Sequence, residues 1–426
     1  MSFLIFFILV LLAFLGAPLF AIILAVAMIG FYSQGVDLSV IPIEIYRITD
    51  APVLVALPLF TFAGYILAES RTSERVVRLS RVFLGWMPGG LAIVSFMACA
   101  LFTAFTGASG VTIVALGALL YPALIQDGYP ENFSLGLVTT SGSLGLLFAP
   151  SLPLILYGII AQQMTVGEGV SIEKLFLAGI LPGLLMIFIL SAWSFWKNRN
   201  VPIQKNRFNV KEAGFALKEA KWEIPLPLFV LGGVYGGFFA ISEAAAVTAL
   251  YVIIVEVFVY KEVSIKKIPE IMRESMVMVG GILLILGVSL ASTNFLIDAE
   301  VPSRLFNLIQ AHVTDKITFL ILLNIMLLIL GAILDIFSAL VIMVPLILPI
   351  AVNYGIDPVH LGIIFLANMQ IGYFTPPVGM NLFIASYRFK KSIISLYRST
   401  IPFMLLLLGA VLIITYWPGL CMMFID

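Results

Sequence analysis

Pro122, Gly128, Gly145 and Pro150 recur 227 residues further along the chain as Pro349, Gly355, Gly372 and Pro377. The windows that carry them read GYPENFSLGLVTTSGSLGLLFAPS (128–151) and GIDPVHLGIIFLANMQIGYFTPPV (355–378). With only 34 Gly and 22 Pro in 426 residues, four such identities at one shift are not background. Both windows are apolar, and both put a helix breaker where a lipid-spanning helix should run on. Paired interruptions in corresponding halves are the sequence mark of a secondary transporter's binding site.

The composition sets the solvent. Hydrophobic residues make up 62% of the chain, charged residues 11%, and the mean hydropathy is +1.13. A soluble domain of this size covers its core with polar residues. Only helices or closed barrels satisfy every backbone polar group in lipid, and these long apolar runs specify an all-α polytopic membrane protein. A formal net charge of zero offers no basic face to nucleic acid. The two cysteines, Cys99 and Cys421, lie far apart in apolar runs, which argues against a disulfide framework or metal cluster. The N-terminal stretch MSFLIFFILVLLAFLGAPLF has no Lys or Arg before Arg47, so it reads as a retained membrane helix rather than a cleaved signal.

All but four of the 23 Lys and Arg residues fall within 71–81, 197–221, 261–273 and 388–398. By the positive-inside rule these clusters face the cytoplasm, and the loops near 33–51, 163–174 and 297–316 face outward. Residues 88–127 then begin and end inside, which makes them a re-entrant helical hairpin broken at Thr106–Gly110. Residues 131–162 cross outward, interrupted at Gly145–Pro150, and 175–196 return. In the second half 276–296 crosses outward, and 316–352 forms a second re-entrant hairpin turning near Gly331–Asp335. Residues 358–387 cross inward, broken at Gly372–Pro377, and 395–420 exits. The halves therefore come out upside down to each other: an inverted-topology repeat with two hairpins and two broken transmembrane helices. Residues 224–260 need two crossings with a turn in 232–242, and residues 1–32 read as two short helices broken near Gly16–Pro18. Residues 70–86 and 264–276 read as helices along the cytoplasmic interface. His312 and His360 fall in outward-facing loops.

The broken segments GSLGLLFAPS and QIGYFTPPVG leave carbonyls unpaired at half-helix ends, where the helix dipole adds partial negative charge. A desolvated alkali cation takes hard oxygens of this kind. Thr106, Ser109 and Thr375 stand where they add hydroxyl oxygens. Asp335 reads as an N-cap that shapes the second tip, with cation tuning or proton carriage as alternatives. Glu243 and Glu256 read as paired structural residues near helix ends.

The ordered stretches TGASGVTIVALG, LFLAGILPGLL, GGFFAISEAAAVTALY, GAILDIFSALVIMVPLILPI and GIDPVHLGIIFLANMQIGYFTPPVGMNLF resemble the large membrane subunit of tripartite ATP-independent periplasmic (TRAP) transporters, the DctM-like family, over about residues 1–420. That resemblance implies a sodium-coupled, elevator-type importer in a bacterial inner membrane. It also implies two partners, a small four-helix membrane subunit and a periplasmic substrate-binding protein, and a small organic anion as substrate. Sodium ions are the coupling ions, with no other cofactor. Carried over by motif position, one sodium site uses Thr106 and Ser109 with the carbonyls of Gly145, Phe148 and Pro150. The other uses Gly331, Gly372, Thr375 and Val378. Substrate is expected near Gly107, Ser143 and Asn381. The first tip departs from the family's usual Ser-Gly-Ser-Ser-Pro-Ala-Thr, reading Thr-Gly-Ala-Ser-Gly-Val-Thr over 106–112.

The expected moving unit is 88–162 with 316–387. Residues 1–87 supply scaffold helices and an interfacial arm, 163–315 further scaffold with the basic loop and the start of the second repeat, and 388–426 a C-terminal scaffold helix. The alternatives are a stand-alone carrier or antiporter of the same architecture and, more remotely, an intramembrane enzyme. The latter needs a nucleophile–histidine pair, a paired aspartate or a metal at depth, which the placement of His312, His360 and Asp335 does not offer. A primary pump would need a phosphate-binding G-x-x-x-x-G-K-[ST] loop, which the sequence lacks.

Overall fold

A computed structural model describes residues 8–9, 11–12, 15–47, 51–84, 87, 89–164, 170–199 and 209–425. The described residues contain no strand, and nine of their helices are long and apolar enough to cross a membrane. The expected first helix falls mostly outside the described residues, as do parts of the 163–174 and 197–221 loops. What is described agrees with a break near Gly16, which has φ +87°.

The elements of the first half are α1 (Leu19–Ser33), α2 (Val40–Arg47), α3 (Ala56–Glu69), α4 (Thr72–Leu84), α5 (Gly90–Thr106), α6 (Ser109–Gln126), α7 (Glu131–Ser141), α8 (Leu152–Gln162) and α9 (Ile172–Asn198). The second half holds α10 (Val210–Glu219), α11 (Pro225–Tyr235), α12 (Ile241–Ile253), α13 (Ile268–Asp298), α14 (Val301–Gln310), α15 (Lys316–Ile333), α16 (Ile336–Asn353), α17 (Pro358–Gly372), α18 (Met380–Phe389) and α19 (Ile393–Tyr416). Moved by 227 residues, α6 lands on α16 end for end, α5 on α15 and α4 on α14. The repeat therefore extends well beyond the four Gly and Pro identities that reveal it.

Local chemistry explains the shared boundaries. After α6, Gly128 turns left-handed (φ +94°), its N–H bonding Ile125 O while the Tyr129 N–H bonds Leu124 O. After α16, Gly355 (φ +71°) and Ile356 repeat both bonds onto Val352 O and Ala351 O. This is the Schellman stop, which glycine permits without a Cβ penalty. Helices α15 and α17 start on aspartate caps: Asp315 accepts from Thr318 N–H, and Asp357 from Val359 and His360 N–H. The bonds from Thr318 hold the Asp315 carboxyl below the usual carboxylate range.

Helices α1–α3 pack with α11–α13, while α5–α9 pack with α15–α19. The broken segments lie inside the second group. The 131–162 segment has 89% of its apolar stretch buried, against 39% for α6. Irregular backbone at membrane depth survives only when wrapped in protein or lining a water-filled cavity; the first break is wrapped, whereas Pro377 and Val378 in the second are exposed.

Four expectations need correcting. Residues 264–276 are not a separate interfacial helix, because a short 3-10 turn at Ile265–Lys267 runs straight into the 31-residue α13. The 297–316 loop contains α14, and the 33–51 loop contains α2. His360 lies not in a loop but in the first turn of α17, fully buried, its Nε2 within 2.8 Å of Ile414 O.

Candidate site at the hairpin tips and helix breaks

The first hairpin turns at Gly107, whose φ of +65° ends α5 and whose N–H bonds Thr103 O at 2.8 Å. The second turns through Leu334 and Asp335 without a left-handed residue. Opposite the first tip, the broken helix gives up α-geometry at Gly142, passes a 3-10 turn at Leu144–Leu147, and resumes at Leu152. Opposite the second, it stops at Gly372 and resumes at Met380. The peptide bonds before Pro150 and Pro377 are both cis.

Tip and break meet backbone to backbone. A Cβ on Gly372 would stand 2.5 Å from Gly331 Cα, and a Cβ on Gly145 would stand 2.5 Å from Ala104 N. Residues 104 and 331 are themselves related by the 227-residue shift, so the close approach is made twice. The first tip also presses against α3, where a Cβ on Gly64 would come within 2.7 Å of Thr106 Cα.

The expected site residues divide between these junctions. In the first, Thr106 is fully buried and its hydroxyl has no hydrogen-bond partner. Ser109 donates to Asn381 Oδ1 at 2.7 Å, which ties the first tip to α18 of the other repeat. The Gly145 and Phe148 carbonyls each accept one turn bond, from the Phe148 and Ser151 N–H groups, so each keeps a second lone pair. The Phe148 ring lies over Gly183, and Pro150 is buried. Gly107 stands under Leu152 with no room for a Cβ.

In the second junction the Thr375 hydroxyl donates to Ile371 O at 2.8 Å, leaving its lone pairs unspent. Gly331 touches Gly372, and the Gly379 N–H bonds Ala332 O at 3.0 Å. The Val378 side chain points into the open, so only its backbone can serve a site. Asp335 caps α16, accepting from Phe337 and Ser338 N–H at 3.1 Å each.

Ser143 donates to Gln370 O at 3.1 Å. Residues 143 and 370 are related by the repeat, and equivalent positions in contact lie beside the axis that exchanges them. The two breaks therefore cross at the centre of the molecule. Gln370 was not among the expected residues, although adding 227 to Ser143 finds it. Tyr373 was also missed: its buried phenol oxygen accepts from the Ile336 N–H at 3.0 Å. No local pattern marks that role. Thr103 is a third, bonding Thr112 Oγ1 and Gly142 O at 2.7 and 2.9 Å and so locking both arms of the first hairpin to the break.

A helical bundle in which two hairpin tips face two interrupted helices, with the breaks meeting at an internal axis, is the architecture of a multi-pass membrane transporter. The solved structures agree on the fold. The YdaH transporter of Alcanivorax borkumensis matches with a TM-score of 0.60 at 14% identity, over 87% of this chain and 85% of that one. Neisseria gonorrhoeae MtrF, described among antimetabolite efflux pumps, matches with a TM-score of 0.57 at 11% identity, over 86% and 80%.

The sequence relatives go further. The family described as "Tripartite ATP-independent periplasmic transporter, DctM component" matches residues 3–420. The C4-dicarboxylate TRAP transporter large permease protein DctM of Rhodobacter capsulatus is 32% identical over 92% of this chain and 90% of that protein. The isethionate TRAP transporter permease protein DctMQ of Oleidesulfovibrio alaskensis is 36% identical over 88% of this chain, and the match spans 58% of that longer protein. The ectoine/5-hydroxyectoine large permease protein UehC of Ruegeria pomeroyi is 29% identical over 99% of this chain and 98% of that protein. The chain belongs to the DctM component family of TRAP transporters.

Proposed function

We propose that this chain is the large, sodium-coupled permease of a bacterial inner-membrane TRAP system. In this reading it imports a small organic anion that a periplasmic binding protein delivers, with a small membrane subunit docked on its scaffold. The supporting observation is the duplicated junction: two tips, each in backbone contact with a helix break, around the Ser143–Gln370 crossing. Each junction gathers carbonyl and hydroxyl oxygens whose lone pairs remain open, and none of the contributing side chains carries a formal charge. Such a donor set suits an alkali cation. The first sodium site is Thr106 and Ser109 with Gly145, Phe148 and Pro150; the second is Gly331, Gly372, Thr375 and Val378. Gly107, Ser143 and Asn381 face the substrate between them.

The hairpins enter and leave on one side of the membrane, opposite sides for the two repeats, and move with their broken helices as an elevator. Helices α9 and α19 pack on the broken helices and on each other, so this reading moves them into the unit, out of the scaffold ranges 163–315 and 388–426 expected from the sequence. Helices α1–α3 and α11–α13 stay behind.

The test is uptake into proteoliposomes holding both membrane subunits, with an imposed sodium gradient. The reading requires sodium-dependent uptake of the binding protein's ligand, and its loss in Thr375→Val at unchanged protein yield. Equal uptake without the binding protein would instead select the stand-alone carrier.

A further inference from the structure

The first hairpin and the scaffold do not close fully on each other. Between α5 on one side and α3, α4, α11 and α12 on the other lies a cleft. Thr106 of the first tip stands in its wall, as do Trp222 and Glu223 just before α11 and Glu256 just after α12. The rest of the wall is almost wholly apolar, with Leu67, Val76, Leu101, Phe102, Phe105 and Leu226 in it. The helices that frame the cleft are apolar on their uncovered sides too: α5 exposes Met97 and Leu101, and α11 exposes Leu228 and Phe229. In a chain that spans a bilayer such faces meet lipid, so an apolar occupant of the cleft comes from the bilayer. At the second hairpin the equivalents of Phe102 and Thr106 are Ile329 and Ile333, and both are exposed. The cleft belongs to the first repeat only.

Its few polar groups say what the occupant carries. Thr72 donates to Glu256, Arg75 binds both Glu223 and Glu256, and the Tyr251 hydroxyl donates to Trp222 O. The Trp222 indole N–H, by contrast, is buried and has no partner among the described residues. A buried donor costs about 1–3 kcal/mol unless something accepts from it. Beside it, Lys221 is exposed, with Nζ 5.3 Å from the centre of the Trp222 ring. An acceptor for the indole and an anion for the lysine are what the ester and phosphate of a phospholipid present together. They present them at the membrane boundary, where tryptophan collects, and Lys221 and Trp222 stand just ahead of α11.

We infer that this cleft binds one membrane phospholipid. An acyl chain lies along α5 among Leu101, Phe102 and Phe105, an ester oxygen accepts from the Trp222 N–H, and the phosphate sits by Lys221. In the proposed mechanism α5 moves against α3, α11 and α12, so the lipid lies on the sliding surface. That consequence rests on the transport reading; the binding site itself does not.

The test titrates palmitoyl-oleoyl phosphatidylglycerol onto the delipidated full-length chain in detergent and counts bound lipid by native mass spectrometry. Wild type is expected to show one saturable step. Trp222→Phe keeps a ring and loses the N–H, and should weaken that step about fivefold. Leu101→Phe narrows the cleft from an exposed position that tolerates the larger ring, and should weaken it about tenfold or more. Palmitate, a chain without a phosphate, should fail to compete. Absence of a saturable step in wild type, an unchanged titration in either variant, or full competition by palmitate overturns the assignment. Lipid binding that follows this pattern in a chain without sodium-driven uptake would strike the transport reading and leave the site standing.

Discussion

The two arm helices, α4 and α14, occupy the same place in the repeat and are held by opposite means. Arm α4 is held by charge. Arg75, 8% exposed, pairs with Glu223, Glu256 and Glu262, and its guanidinium carbon lies 4.0 Å from the centre of the Tyr260 ring. Thr72 donates to Glu256 Oε1 at 2.8 Å, and Glu256 itself is fully buried. Glu223 lies just before α11, and Glu256, Tyr260 and Glu262 lie in and just after the π-helical turn Ile254–Val259 that follows α12. The position equivalent to Arg75 in α14 is Pro302. Arm α14 is held by rings: Phe306 packs on Tyr354 at 5.6 Å, Tyr354 stacks on Phe319 at 4.4 Å, and its hydroxyl bonds Val313 O. Those partners belong to the second hairpin. Backbone register is thus duplicated while anchorage is not; both arms lie on the hairpin they feed, α4 on α5 and α14 on α16, but only α4 adds an ionic anchor to the segments before α11 and after α12.

The comparison can be broken at several depths. The largest effect is expected where the halves agree. Gly372→Val and Gly145→Val each force a side chain into neighbouring backbone, and overpacking of this kind costs about 3 kcal/mol or more. Both should yield little monodisperse protein on size-exclusion chromatography. A well-folded variant at one glycine only would show that the junctions are not equivalent.

Next comes the arm contrast itself. Arg75→Met leaves Glu256 buried without its cation and should cost about 3–5 kcal/mol. Tyr354→Phe removes one hydrogen bond from the other arm and should cost about 1 kcal/mol. Thermal unfolding in detergent ranks the two, and equal shifts would erase the distinction between the arms. Smaller again is Asp335→Ala, which removes a helix cap worth about 1 kcal/mol. The smallest is Glu219→Gln: the pair it forms with Arg78 is about half exposed on both sides, and such pairs contribute at most about 1 kcal/mol.

What the sequence disclosed follows from the range of the forces involved. Gly107, Gly128, Pro150, Gly355 and Pro377 act through their own backbone, so both hairpins, both breaks and the 227-residue shift were legible. Asp335 was readable as a cap because an aspartate two residues before a phenylalanine and a serine amide needs no distant partner. The helix α14 was not read, since ten residues with a single arginine imitate a loop; shifting α4 by 227 would have located it. His360 was misplaced although Asp357 and Pro358 together form a helix start just before it. Glu256 was rightly read as paired, but its partner across 181 residues of chain has no local signature. The Ser109–Asn381 bond, between residues 272 apart, is hidden for the same reason.

An inverted repeat requires its two copies to lie in opposite senses across the bilayer, and cysteine labelling of intact cells measures that directly. Asn132 and Asn353 are both exposed beside the turn glycines Gly128 and Gly355, and the two natural cysteines, Cys99 and Cys421, are buried. With a membrane-impermeant maleimide, Asn353→Cys should react from outside, whereas Asn132→Cys should react only after the membrane is opened. Reaction of both from the same side would contradict the inverted arrangement and with it the axis placed at the Ser143–Gln370 crossing.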